Sequence, residues 1–273
     1  MRMSSLRVAE TIEVAEKLPS RARQPYITIR GLSKSFNGKA VYENFDFDIP
    51  YGNFISIFGP NGCGKSTLIG LMSGLIPIDS GQVLFDGMPI ADVRIGYVFQ
   101  NYREALFPWM SAWSNIEYPL RFMKLSAKER RDKVDALVAR LGVRLDLNRY
   151  PYEMSGGQQQ LVSIMRALVI EPEVLMLDEP FSALDYEMTL FLRQQLAKIF
   201  EETGTTTLIV SHDLEETVYL ADKVLLLTRA PARVAEFVPV PSARPRTPEI
   251  LSDPNFIKVK AHCLDIFQRE VRR

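Results

Sequence analysis

The chain has 273 residues, with 33 Lys+Arg against 33 Asp+Glu and 2 His, so its formal net charge is zero. Hydrophobic residues make up 47% and charged ones 24%, which excludes a disordered chain and gives no support to nucleic-acid binding by bulk charge. No stretch approaches the roughly 18 consecutive apolar residues of a membrane span, and Cys63 and Cys263 cannot build a disulfide framework, so a soluble intracellular protein is expected. The length suggests one large domain, or one with an appendage.

Residues 1–24 are polar and dotted with arginine; Glu10, Glu13 and Glu16 argue against a transit peptide, and a flexible N-terminal arm is expected there. From Tyr26 the pattern changes. Tyr26-Ile27-Thr28-Ile29 and Phe45-Asp46-Phe47-Asp48-Ile49 alternate with period two, predicting half-buried antiparallel strands. Phe54–Phe58 is continuously apolar apart from Ser56 and runs into glycines, as a buried strand feeding a phosphate loop should.

That loop is Gly59-Pro60-Asn61-Gly62-Cys63-Gly64-Lys65-Ser66-Thr67, matching G-x-x-x-x-G-K-[ST], with a helical run starting at Leu68-Ile69. Its glycines allow backbone N–H groups to turn inward around phosphate oxygens at the positive end of the helix. Lys65 would neutralise the β and γ oxygens, and the Ser66 hydroxyl would take a Mg²⁺ position. Lys65 and the helix N-terminus are also expected to lower the Cys63 thiol pKa and make it open to alkylation.

Residues 101–149 are helical in character, with the charged run Lys128–Lys133 expected as a solvated face beside Val134, Leu137, Val138 and Leu141. Val174–Leu177 is a second buried strand, ending in Asp178-Glu179-Pro180. An Asp at the carboxyl end of such a strand lies where it can hold Mg²⁺, while the adjacent Glu179 diverges and could polarise an attacking water. Thr207–Val210 follows after a helix-like segment of about 20 residues, so the strands are parallel with crossover helices. Val224–Leu227 is predicted as another strand. Beyond Thr228, prolines 231, 239, 241, 245 and 248 predict an irregular stretch, then an amphipathic helix with Phe256, Val259, Cys263, Phe267 and Val271 near one face. His262 in that helix is expected at the surface or an interface.

Between the helical region and the acidic strand stands Ser155-Gly156-Gly157-Gln158-Gln159, opening a helix through Leu161, Ile164, Met165 and Leu168. With the phosphate loop and the acidic strand, this motif resembles the nucleotide-binding subunit of an ATP-binding cassette (ABC) transporter over about Tyr26 to Arg229. The resemblance implies an α/β fold: a P-loop NTPase core with a mostly parallel sheet, an antiparallel β subdomain and an inserted α-helical subdomain over about 101–166. The ATPase domain would span 25–229, and 230–273 would be a C-terminal extension. It further implies that Gln100 touches Mg²⁺ and the attacking water, that His212 contacts the γ-phosphate, and that Phe36 stacks on adenine. Ser182-Ala183-Leu184-Asp185 resembles the family's D-loop. Two subunits would pack head to tail around ATP and Mg²⁺, with Ser155, Gly156, Gly157 and Gln158 capping nucleotide held by the partner chain. Leu161 departs from the family, which commonly has a basic residue there.

One cassette without a long coiled-coil insertion resembles an importer subunit, peripheral on the cytoplasmic face of the cell membrane. Its implied partners are an integral-membrane permease, a second ATPase subunit and, indirectly, a solute-binding protein; no nucleic acid is expected. The alternative is a soluble ABC ATPase acting on nucleic acid or ribosomes. Tyr102, Phe107, Trp109 and Trp113 fit either a docking surface or the core of the helical subdomain. Phe107-Pro108-Trp109, the run His212–Thr217 and the Arg244-Pro245-Arg246 tail resemble the nitrate/sulfonate/taurine importers.

Overall fold

The computed structural model describes residues 25–182 and 184–272, so the expected N-terminal arm lies outside the described residues. The first part of the chain forms β1 (Pro25–Phe36), β2 (Lys39–Pro50), β3 (Phe54–Phe58), α1 (Lys65–Met72), β4 (Ser80–Phe85), β5 (Met88–Pro89) and β6 (Ile95–Val98). An inserted helical subdomain follows, with α2 (Tyr102–Ala105), α3 (Ala112–Glu117), α4 (Ala127–Leu141) and α5 (Gly156–Leu168). The chain then returns through β7 (Val174–Asp178), α6 (Tyr186–Thr203), β8 (Thr206–Val210), α7 (Leu214–Leu220) and β9 (Lys223–Leu227), and ends with β10 (Val234–Pro239) and α8 (Pro254–Arg272).

The period-two segments pair antiparallel, Ile27 opposite Ile49 and Ile29 opposite Phe47, in a sheet of order β2-β1-β4-β5. Alternation puts Ile27, Ile29 and Ile49 inward, all fully buried, while Asp48 pairs with Arg30 outside. The second sheet has order β10-β9-β3-β8-β7-β6, parallel from β9 to β6, with β10 antiparallel on β9. Its central strands β3, β7 and β8 are buried at every position and apolar apart from Ser56, Asp178, Thr206 and Thr207, because both faces are covered. On β7, Leu175 and Leu177 join the core shared with the helical subdomain, whereas Val174 and Met176 pack with β1, β2 and α1. The same split sends Phe54 and Phe58 to one side and Ile55 and Ile57 to the other.

Helix α4 begins with a capping box, Ser126 with Glu129, and ends at Gly142 in the left-handed region. Its charged run faces solvent except at Arg130 and at the half-buried Lys133, which pairs with Glu171. Arg130 turns inward to the buried Glu117, which Arg121 also pairs. A carboxylate at 2% exposure needs such partners, and helical periodicity alone gives no sign of them.

The proline-rich stretch is less irregular than its composition suggests. Residues 234–239 form β10 at the sheet edge, where Pro239 costs no central ladder bond. Arg246 is buried and its guanidinium donates to the carbonyls of Val218, Tyr219 and Ala221, while Arg244 bonds Asp222 and the Leu220 carbonyl. In α8, Phe256, Cys263 and Ile266 are buried and Val259 and Phe267 pack on the core. Val271 is exposed instead, and the turn that carries it is held by Arg229 bonding the carbonyls of Glu270 and Val271. Among the described residues, no helix is long and apolar enough to cross a membrane.

Candidate functional site

Strand β3 delivers the phosphate loop. Gly64 stands at φ 110°, and a Cβ there would lie 2.5 Å from Val41 Cγ1, so no other residue fits. The Tyr42 hydroxyl donates to the Gly64 carbonyl at 3.0 Å, fixing the turn from the β-subdomain side. Lys65 opens α1, and its buried ammonium donates to the carbonyls of Gly59 at 2.9 Å and Pro60 at 3.1 Å, spanning the mouth of the loop.

The carboxyl ends of β3, β8, β7 and β6 share one edge of the sheet, the crevice where open α/β sheets take ligands. At the end of β7, Asp178 Oδ1 accepts from Ser66 Oγ at 2.8 Å. Burial raises the Asp178 pKa, with a smaller rise from the Glu179 charge; the Ser66 hydrogen bond and the Lys65 charge act against them. Glu179 leaves the strand at φ 45°, a left-handed conformation that a β-carbon disfavours, with its N–H donating to the Val210 carbonyl at 3.0 Å. Its Oε2 accepts from Gln100 Nε2 at 3.0 Å and lies 3.2 Å from His212 Nδ1. Gln100 follows β6 and His212 follows β8, so three loops meet on one carboxylate oxygen.

These groups border a cleft of about 520 Å³. Asn61, Gly62, Gly64, Lys65, Ser66 and Thr67 form one wall, and Gln100, Glu179 and His212 stand opposite. Val41 completes the lining and was not expected from the sequence; no motif marks it, and only the β1–β2 hairpin folding over the loop brings it there.

Other expected site residues lie elsewhere. Gly59, Pro60 and Cys63 build the loop but do not line the cleft; the Cys63 N–H is spent on the Pro60 carbonyl at 3.2 Å. The Cys63 thiol is 1% exposed, and burial pushes its pKa up, outweighing the lowering by Lys65. The expectation of an acidified, alkylation-prone thiol is therefore wrong, because desolvation exceeds the dipole and charge effects here. Phe36 is 42% exposed at the end of β1, outside the cleft lining, with the Lys34 ammonium 5.2 Å from its ring centroid.

Ser155, Gly156, Gly157, Gln158 and Asp185 also stand apart from this cleft. Ser155 caps α5 in a reciprocal box with Gln158, and Asp185 caps α6 by accepting from the Met188 N–H at 2.8 Å. A Cβ on Gly156 would meet the Tyr102 hydroxyl at 2.5 Å, and one on Gly157 would meet Met188 Cγ at 2.7 Å, so a larger residue at either position would have to displace those side chains. Leu161 is buried in the core beside this motif. Ala183 lies outside the described residues, so the D-loop reading is described only at its flanks. His262 Nε2 stands 2.8 Å from Glu236 Oε1 at the surface.

The four aromatics after Gln100 divide. Tyr102 is buried, and Trp113 packs on the core under Arg131. Phe107 and Trp109 form a run of ring contacts with Tyr118 and Phe122, in which Trp109 and Phe122 are exposed. Phe107 and Tyr118 border a groove with Phe99 and Arg166.

A phosphate loop after β3, two acids at the end of β7, which β8 separates from β3, and flanking Gln and His define a P-loop nucleotide site. The family model described as "ABC transporter" matches residues 42–182. The nitrate import ATP-binding protein NrtD of Synechococcus elongatus is 40% identical over 233 residues, 83% of this chain and 84% of that protein. The spermidine/putrescine import ATP-binding protein PotA of Aliivibrio fischeri is 37% identical over 210 residues, 75% of this chain but only 56% of its own length. The chain thus spans little more than half of such polyamine relatives. Among solved structures, the ATP-binding cassette MJ0796, a dimer in a post-hydrolysis state with ADP and Pi, superposes with TM-score 0.71 at 28% identity, covering 80% of this chain and all of that one. The cbiO1 subunit from Clostridium perfringens gives 0.72 at 28% identity over 90% of this chain and 98% of its own. The chain belongs to the ABC transporter family and carries its ATP-binding cassette.

Proposed function

We propose that the chain binds ATP with Mg²⁺ in this cleft and hydrolyses it as the energy-supplying subunit of an importer whose permease is a separate chain. The observation that carries the reading is the meeting of Gln100 and His212 on Glu179, one residue from an acid bonded to the phosphate-loop serine.

Among the described residues no cluster of three or more His, Cys, Asp or Glu could hold a metal. A magnesium ion bound to a nucleotide needs no such cluster. It takes hard oxygen donors and keeps positions for phosphate oxygens and water, which suits the Ser66 hydroxyl, the Asp178 carboxylate and the Gln100 amide oxygen. When bound, the ion would neutralise charge on the β and γ phosphates. Lys65 would release its loop carbonyls for phosphate oxygens, and the N–H groups of the loop would orient them. Glu179 would accept the proton of the attacking water, its oxygen aimed by the Gln100 amide and the His212 imidazole. His212 and Gln100 would then sense the γ-phosphate.

Ser155, Gly156 and Gly157 head α5 outside the lining of the chain's own cleft, which supports a head-to-tail dimer in which they cap nucleotide on a second copy. The dimeric state of the MJ0796 relative supports the same arrangement. Asp185 and Gln158 would lie at that boundary. The groove beside Phe107 and Tyr118, with exposed Trp109 and Phe122, would receive the permease, and the complex would sit at the cytoplasmic face of the membrane. The solute is a small anion or organic acid of the nitrate, sulfonate or taurine class. What supports this choice is the nitrate relative, matched over most of both chains, together with the Phe107-Pro108-Trp109 segment and the arginine tail.

The test is direct. Glu179→Gln keeps ATP affinity and loses turnover by at least about a hundredfold, whereas Lys65→Ala loses affinity. Wild-type hydrolysis by the first variant, or unchanged binding by the second, overturns the assignment. Copurification from native membranes in mild detergent should recover a multi-span permease near one to one; recovery of ribosomes or nucleic acid instead would favour a soluble ATPase.

A further inference from the structure

The His212 side chain is 57% exposed, and its Nδ1 lies 3.2 Å from Glu179 Oε2. Its neighbours are held firmly. Ser211 is 2% exposed, and its hydroxyl donates to Glu216 Oε2 at 2.8 Å while accepting from the Asp213 N–H at 3.0 Å. Asp213 caps α7, its Oδ1 accepting from the N–H groups of Glu215 and Glu216, and its carbonyl takes the Thr217 hydroxyl at 2.8 Å. The second oxygen of Glu216 accepts from Arg193 Nη2 at 2.7 Å. Both members of this ion pair are at most 9% exposed. Arg193 lies on α6, the helix capped by Asp185, so the pair crosses from that helix to α7, which follows the loop of His212.

A buried ion pair between two helices is no general gain in stability, since apolar side chains of similar volume serve as well. What a carboxylate adds here is two oxygens aimed in different directions, one fixing the residue before His212 and one gripping α6. We propose that Glu216 is a positioning residue for His212: through Ser211 it holds the imidazole against Glu179, and through Arg193 it ties that placement to α6. This inference rests on the role of His212 given above. Displacing α6 would then move His212 relative to the base without any change in the phosphate loop.

The experiment uses the full chain and the fact that it has only two histidines, His212 and His262. In nucleotide-free protein with ¹⁵N-labelled histidine, Glu216→Gln and Arg193→Met should each move the ring resonances of His212 and leave those of His262 in place. In ATP turnover, Glu216→Gln should lower kcat by about tenfold with KM within about twofold. In a double-mutant cycle it should cost nothing further once His212→Ala is present. Unmoved His212 resonances in both folded variants, or effects of Glu216→Gln and His212→Ala that multiply, overturn the positioning role. Turnover at the wild-type rate in His212→Ala would sink the γ-phosphate role of His212 instead, and the resonances would still decide whether Glu216 sets the ring. Glu216→Ala rescued by no other acid, with lowered stability but normal kcat per folded molecule, marks a purely structural pair and also overturns it.

Discussion

Asp178 carries an electrostatic cost of burial. Burial disfavours its ionised form, so the folded chain holds the proton more tightly than the unfolded chain does. The sign follows from linkage: a raised carboxyl pKa contributes stability at pH below the ordinary carboxylate range and loses it as pH rises through the folded value. Without nucleotide, Asp178→Asn should therefore be more stable than the wild type near neutral pH by about 1 kcal/mol, a gain that vanishes on acidification. Urea unfolding at the two pH values measures it, and a destabilised variant near neutrality would contradict the burial argument. Glu179 shows a second local cost, a left-handed backbone in a residue with a β-carbon, paid where three loops converge. The motif spacing made both acids legible. Their expected divergence appears in the geometry, with Asp178 turned to Ser66 and Glu179 to Gln100 and His212. Cys63 shows the limit of motif reasoning: its loop position suggested an activated thiol, while three-dimensional packing buries it.

Helix α7 is held at both ends, by Asp213 and the Glu216 pair at its start and by the tail at its finish. Seven residues make a helix too short to stand alone, so these caps matter. Arg246 supplies three carbonyl contacts there, and its burial brings the guanidinium pKa down to about 10. Arg246→Ala should leave those carbonyls without donors and cost about 3 kcal/mol, with the tail becoming open to protease after residue 229. Unchanged thermal unfolding and proteolysis would show that the tail docks by apolar contacts alone. Composition predicted only an irregular stretch here, because prolines and arginines advertise loops. The β10 pairing and the caps on α7 depend on what 218–227 present as partners, which no local window contains. By contrast, β3, β7, β8 and β9 were legible as apolar runs, since burial on both faces leaves that trace in the residues themselves.

The two cores meet across the central sheet, and the nucleotide cleft opens at its edge, where the β subdomain and the loops after β6, β7 and β8 approach one another. The Ser155–Gln159 segment heads a different surface. A whole catalytic unit would then need two chains, and nucleotide would be the ligand that joins them. In Glu179→Gln, ATP should convert monomer to dimer in sedimentation, and adding Lys65→Ala to the same chain should prevent it. A dimer indifferent to ATP, or one formed equally by the double variant, would count against the nucleotide sandwich.

By itself the sequence determined the class of fold, the phosphate loop, the acidic pair and the family resemblance, because each rests on a short run of residues whose spacing the backbone translates directly into geometry. Tertiary structure alone decided that Val41 lines the cleft, that Cys63 and Tyr102 are buried, that Arg130 turns in to Glu117, and that Glu216 stands between Arg193 and Ser211. Those facts depend on which surfaces distant segments press together, and desolvation or pairing there outweighs any preference written in the local chain.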